Sequence, residues 1–92
     1  MEFEWDPAKA AENLRKHEVS FHEAATVFGD FLGVTAADPD HSAEEHRLIT
    51  VGRSSRGRLL MVAHVERRER IRVISARRLT SRERKAYEES QQ

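Results

Sequence analysis

Glu45 and Arg47 stand two positions apart, His64 sits inside an apolar run, and Arg77 and Arg78 are followed by Tyr87. A carboxylate or imidazole beside a hydroxyl can take its proton, and an acid can return one to a leaving oxygen. Arginine's planar fork meets phosphate oxygens bidentately. Cleavage of an RNA phosphodiester asks for little more, because the RNA's own 2′-hydroxyl is the nucleophile and the protein stabilises charge on the phosphate. Glu45 and His64 are therefore the candidate base or acid, Arg47 and Arg77 the candidate clamps, and Tyr87 a proton donor or a ring on which a base stacks. Lys16, His17, Arg58, Arg67 and Arg78 are candidates for steering an RNA backbone. Each has a plainer alternative: a hydrogen-bonded core histidine, a surface ion pair between Glu45 and Arg47, a tyrosine packed as core. The catalytic reading requires Arg47, His64 and Arg77 to gather on one side of the molecule.

Other chemistries fit poorly. There are five histidines and no cysteine. His17 and His22, like His41 and His46, are five apart, which does not put two ligands on one helical face. Ser54, Ser55 and Ser75 lack the glycines of a nucleophile elbow, and no glycine-rich phosphate loop exists. No metal or other cofactor is expected. The net charge is zero, yet positions 1–46 carry 11 acidic residues against 3 basic and positions 47–92 carry 13 basic against 5 acidic. An arginine-rich half is the electrostatic footprint of phosphate binding; the competing account is that the two halves neutralise each other in the fold. The acidic half then forms the back of the molecule or a surface covered by a basic partner. No apolar run approaches the roughly 20 residues of a membrane span, and the acidic N-terminus is unlike a signal peptide. A cytoplasmic single domain over residues 1–92 is expected.

The elements that must position these groups read off in order. Phe3 and Trp5 alternating with Glu2, Glu4 and Asp6 predict a short strand. Asp6-Pro7 starts a helix that runs to about Lys16 or His17, with Ala8, Ala11 and Leu14 as its apolar stripe and Lys9, Asn13, Lys16 and His17 on another face. Ser20 with Glu23 is a capping box, and Val19 can staple onto Ala24, so a second helix spans Phe21 to Phe28 and ends at Gly29-Asp30. Phe31 to Thr35 reads as a brief strand and residues 38–42 as a turn. Leu48–Val51, Arg58–Glu66 and Ile71–Arg77 are three strands joined by short polar turns, hence an antiparallel meander. In the last of these Ile71, Val73 and Ser75 alternate with Arg72, Ile74 and Ala76. Thr80 with Glu83 is a further capping box opening a C-terminal helix that carries Tyr87.

FEWD at Phe3–Asp6, KHEVSF at Lys16–Phe21, Glu45-His46-Arg47, Gly52, VAH at Val62–His64, ISARR at 74–78 and then Glu83, Arg84 and Tyr87 together resemble the BrnT family, small ribonuclease toxins of bacterial type II toxin-antitoxin systems. The resemblance spans Phe3 to about Tyr87. It implies an α+β, RelE-like fold: a small antiparallel sheet with two N-terminal helices and one C-terminal helix. It also implies metal-independent RNA cleavage that inhibits growth. The implied partner is a cognate antitoxin of the BrnA type, DNA-binding, that joins the toxin in a hetero-oligomer. The family's patterned polar positions fall on Lys16, His17, Glu45, Arg47, His64, Arg77, Arg78 and Tyr87. One departure stands out: the family usually has glycine after the Lys-His pair, where this chain has Glu18. The rival to an enzyme is a non-enzymatic nucleic-acid-binding or protein-interaction module that keeps the basic sheet and cleaves nothing.

Overall fold

The computed structural model describes residues 1–40 and 46–91. Its elements are β1 (Glu2–Glu4), α1 (Pro7–His17), α2 (Phe21–Thr26), a 3₁₀ turn (Val27–Gly29), β2 (Val34–Ala37), β3 (Arg47–Arg53), β4 (Leu59–Arg67), β5 (Arg70–Arg78) and α3 (Ser81–Ser90). The helix starts fall where side chains can satisfy free amides. Asp6 accepts the Ala8 N–H at 2.8 Å, Ser20 accepts Glu23 N–H at 3.0 Å, and Thr80 and Glu83 form a reciprocal capping box. The second helix is shorter than expected, tightening into the 3₁₀ turn from Val27. The brief strand also lies later than expected: Phe31 and Leu32 belong to a turn, and pairing begins at Val34.

The sheet runs β1-β5-β4-β3-β2. The meander β3-β4-β5 is antiparallel, and β2 joins β3 antiparallel. The wholly antiparallel expectation needs correction at one edge, where β1 lies parallel to β5 with Phe3 opposite Ile71. A parallel partner needs a long return path, and here everything between the two strands supplies it.

The two N-terminal helices cover one face of the sheet. Val19, Phe21, Ala24 and Val27 meet Leu60, Val62, Val73 and Ala76 there, with Phe3, Trp5, Ala10 and Phe28 packed around them. A register shift between Ala63 and His64 leaves Ile74 as an extra residue in β5. That bulge changes the phase of the strand. Val73 and Arg77 would share a face in a regular strand; instead Val73 enters the core, and Arg77 joins Ser75 on the other face. Simple alternation through Ser75 and Ala76 therefore fails: Ala76 is buried and Ser75 exposed.

The stripe expected on α1 also turns out differently. Leu14 is 52 % exposed and Asn13 only 6 %. The Asn13 amide donates to the Val19 and Ala76 carbonyls, both at 2.9 Å, and accepts the Ala76 N–H at 3.1 Å. One polar side chain thus ties α1, the turn into α2 and β5 together, because three buried backbone groups would otherwise lack partners.

Candidate functional site: the uncovered sheet face

The face opposite the helices carries Ile49 from β3, Met61 and Ala63 from β4, and Ser75 and Arg77 from β5. These floor an open cavity of 420 Å³ whose rim adds His17, Asp38, Asp40 and Arg47. His17 reaches it as the last residue of α1, Asp38 and Asp40 from the segment leaving β2, and Arg47 as the first residue of β3. Small residues at Ala63, Ser75 and Ala76 keep the floor low enough for a ligand to approach the charged rim.

Glu18 decides where His17 sits. It closes α1 in the left-handed conformation, φ 58° and ψ 33°, with its N–H bonded to the Leu14 carbonyl at 2.9 Å. A glycine would take this geometry at little cost; the glutamate takes it anyway, and the chain turns just past His17.

Asp38 is 6 % exposed. Its carboxylate accepts the Asp40 N–H at 3.0 Å, and its own N–H is bonded to the Arg47 carbonyl at 2.9 Å. The Arg47 Nε–H is buried without a hydrogen-bond partner among the described residues. A buried charged donor left open in this way is costly unless something occupies it.

Arg77 is differently placed. Its Nη1 donates to Glu83 Oε1 at 2.8 Å and to the Arg78 carbonyl at 3.2 Å; its Nη2 donates to Glu83 Oε2 at 2.9 Å and to Met61 Sδ at 3.3 Å. The guanidinium, with the Thr80 N–H behind it, holds the Glu83 carboxyl down to about 2. The same pairing pushes the Arg77 pKa up.

The remaining expected site residues scatter. His64 is 1 % exposed and lies on the helix-covered face, sharing a 2.8 Å hydrogen bond between Nε2 and Thr50 Oγ1 and stacked edge-on to Phe28. Burial pushes its pKa down. The requirement that Arg47, His64 and Arg77 share one side is thus met by the two arginines and not by the histidine, whose even-numbered place in β4 points it inward with Leu60 and Val62. Tyr87 lies outside the cavity; its hydroxyl donates to the Leu32 carbonyl at 3.0 Å, and burial raises its pKa. Arg58 is bound up with the buried carboxylate of Glu23, which also accepts from Ser54 Oγ at 2.7 Å, and with the Glu18 carbonyl at 3.1 Å. Arg67 ends β4 at the far hairpin, among Glu2, Glu4 and Arg70. Lys16 and Arg78 are exposed beside His17 and Arg77. Glu45 lies outside the described residues.

The two charge halves meet more than they divide. Glu2 and Glu4 hold Arg70 and Arg72, and Glu23 holds Arg56 and Arg58. Asp38 and Asp40, from the acidic half, stand on the rim of the basic cavity, so that half is not confined to the back of the molecule. Sequence reasoning placed both aspartates in a turn; a carboxylate pair within reach of Arg47 was the signal available. Among the described residues no three histidine, aspartate or glutamate side chains converge as metal ligands.

A family model described as the ribonuclease toxin BrnT of type II toxin-antitoxin systems matches residues 5–83. The chain belongs to the BrnT family. Its fold is also that of the crystallised BrnT ribonuclease toxin of Brucella abortus, with a TM-score of 0.69 over 88 % of this chain and 99 % of that one at 21 % identity. No curated protein sequence matches. The α+β architecture, with three α-helices and a five-stranded mixed sheet among the described residues, is therefore the BrnT fold. Membership makes this chain a ribonuclease toxin of a type II system, and such a toxin has an RNA target and an antitoxin partner. Among the described residues no helix is long and apolar enough to cross a membrane.

Proposed function

We propose that this BrnT-family chain is an endoribonuclease that works without a metal ion and binds RNA across the uncovered sheet face. His17, Arg47 and Arg77 around one open cavity, with Asp38 and Asp40 on its rim, support that reading. In the cleavage step a base on the rim, Asp38 or Asp40, takes the proton of the 2′-hydroxyl. The O2′–P bond forms as the P–O5′ bond breaks, and an acid, His17 in its protonated form, returns a proton to the departing 5′-oxygen. The products are a 2′,3′-cyclic phosphate and a free 5′-hydroxyl. Arg47, with its open Nε–H, and Arg77 stabilise the charge that accumulates on the phosphate. His64, on the other face, supports β3 and β4 through Thr50 and exchanges no proton with substrate. Lys16 and Arg78, exposed on either side, draw the RNA backbone in. Glu45, two residues before Arg47, remains a candidate base by its sequence position.

In the cell such an enzyme arrests growth, and a BrnA-type antitoxin with its own DNA-binding part relieves the arrest by forming a complex with the toxin. The test is cleavage of a labelled RNA in the presence of a chelator by the wild type and by Arg47→Ala and His17→Ala. Loss of one transition-state donor costs roughly 10²–10³-fold, and loss of an acid or base roughly 10²–10⁴-fold. Cleavage surviving both changes within threefold removes the cavity from consideration. Folded wild-type protein that binds RNA and cuts none returns the chain to the non-enzymatic module.

A further inference from the structure

We propose that Glu83 is a positioning residue for RNA cleavage: it locks the Arg77 guanidinium in place, so that Arg77 meets the substrate phosphate through its Nε–H alone rather than through a two-point fork. This rests on the cleavage reading above and deepens it.

An arginine has five N–H groups in a rigid plane. The two on Nη1 go to Glu83 Oε1 and the Arg78 carbonyl, and the two on Nη2 go to Glu83 Oε2 and Met61 Sδ. Among the described residues only Nε–H is left, while Arg77 and Met61 both line the cavity. A fork-to-fork contact with phosphate uses two parallel N–H groups, and the outer pair already faces a carboxylate. Glu83 in turn is fixed from behind. Its Oε1 also accepts the Thr80 N–H at 2.9 Å, and its own N–H is capped by Thr80 Oγ1 at 3.2 Å. The first turn of α3 is thus a bracket. It holds a side chain from β5 by the same carboxylate that starts the helix, although no residue of α3 is itself buried. Freezing a long side chain before substrate arrives removes the need to order it during reaction, and a misplacement of about 1 Å costs on the order of 10²-fold in rate.

Glu83→Gln separates this role from others, since glutamine still closes a capping box while losing the charge and the symmetric grip. Single-turnover cleavage of a labelled RNA is measured for wild type, Glu83→Gln, Arg77→Ala, the double variant and Thr80→Ala. The expected result is a fall of roughly tenfold or more in the maximal rate of Glu83→Gln, with the half-saturating enzyme concentration moving less than about threefold. In the Arg77→Ala background the same change costs nothing further, because its effect passes through Arg77. Thr80→Ala removes the hydroxyl that caps the Glu83 N–H but keeps the Thr80 N–H on Glu83 Oε1 and the carboxylate on Arg77, so its loss is smaller than that of Glu83→Gln. Unchanged or faster cleavage by Glu83→Gln overturns the proposal, the faster case making Glu83 a competitor of phosphate. Additive losses, or an equal loss in Thr80→Ala, overturn it as well. Wild-type protein that cuts no RNA is a failure of the cleavage reading itself, seen in the control before any variant is compared.

Discussion

Replacing Glu18 by glycine should make the fold more stable by about 0.5–1 kcal/mol. At φ 58° and ψ 33° an L-residue holds its Cβ against the following carbonyl, which costs roughly 1–2 kcal/mol. Glycine escapes that clash but gives the unfolded chain more freedom, which takes back about 0.4–1 kcal/mol. Little else changes. The Glu18 side chain is exposed, and its two backbone contacts, N–H to Leu14 at 2.9 Å and carbonyl to Arg58 at 3.1 Å, survive the exchange. Its attraction for Arg58 is that of an exposed charge and is small. For a domain of this size the gain corresponds to a midpoint about 3–6 °C higher. Urea and thermal unfolding at pH 7 measure it, and the same variant should cleave RNA at the wild-type rate, because the turn that presents His17 is unchanged. A midpoint that stays put or falls would refute the reasoning: the left-handed helix end would then carry no strain, or the carboxylate would contribute more than its surroundings account for.

Asn13→Ala should destabilise by about 3 kcal/mol or more, since it leaves the Ala76 N–H and two carbonyls buried without partners; urea unfolding reads it directly. Glu23→Ala should cost about 2–3 kcal/mol by stranding Arg58 and Ser54, and the loss should shrink when Arg58→Met is added, which a double-mutant cycle in urea would show. The acid limb of the stability curve has two parts. His64 is held below its ordinary 6.5 by burial, so the unfolded chain binds a proton that the native chain refuses, and stability falls as pH drops below about 6.5. Glu23, lowered chiefly by Arg58, and Glu83, lowered chiefly by Arg77, stabilise the fold above pH 4.5 and lose that contribution as pH falls, for Glu83 down to about 2. Substituting His64 by leucine should flatten the first part and leave the second, in chemical unfolding across pH 3–8.

The sequence announced its helix starts because capping is local. Asp6-Pro7, Ser20 with Glu23, and Thr80 with Glu83 each satisfy amides within three residues, so no tertiary knowledge is needed. The meander was legible for the same reason, its turns being short. What escaped notice depends on distant partners. Asn13 looked like a surface residue because its hydrogen bonds go to Val19 and Ala76, and Leu14 looked like core because nothing in α1 alone reveals which side is covered. The bulge at Ile74 is invisible to alternation, yet it sends Arg77 to the cavity. His64 was an even-handed case in sequence; burial against Phe28 and the bond to Thr50 settled its direction. The cavity itself was half legible. Arg47 and Arg77 were expected together, His17 was expected only as a steering group, and the two aspartates were hidden by chemistry equally suited to a turn.

The parallel edge has a consequence for how the toxin comes into being. Glu4 and Arg72, 68 positions apart, must meet before the first strand has a place to lie. A chain emerging from its N-terminus can wind α1 and α2 early, but it holds Phe3 and Trp5 without a docking strand until β5 has been made. His17 and Arg47 are then present while Arg77 is still to come. A product that stops before that point lacks one wall of the cavity, so the proposed RNA site is complete only once β5 has been made.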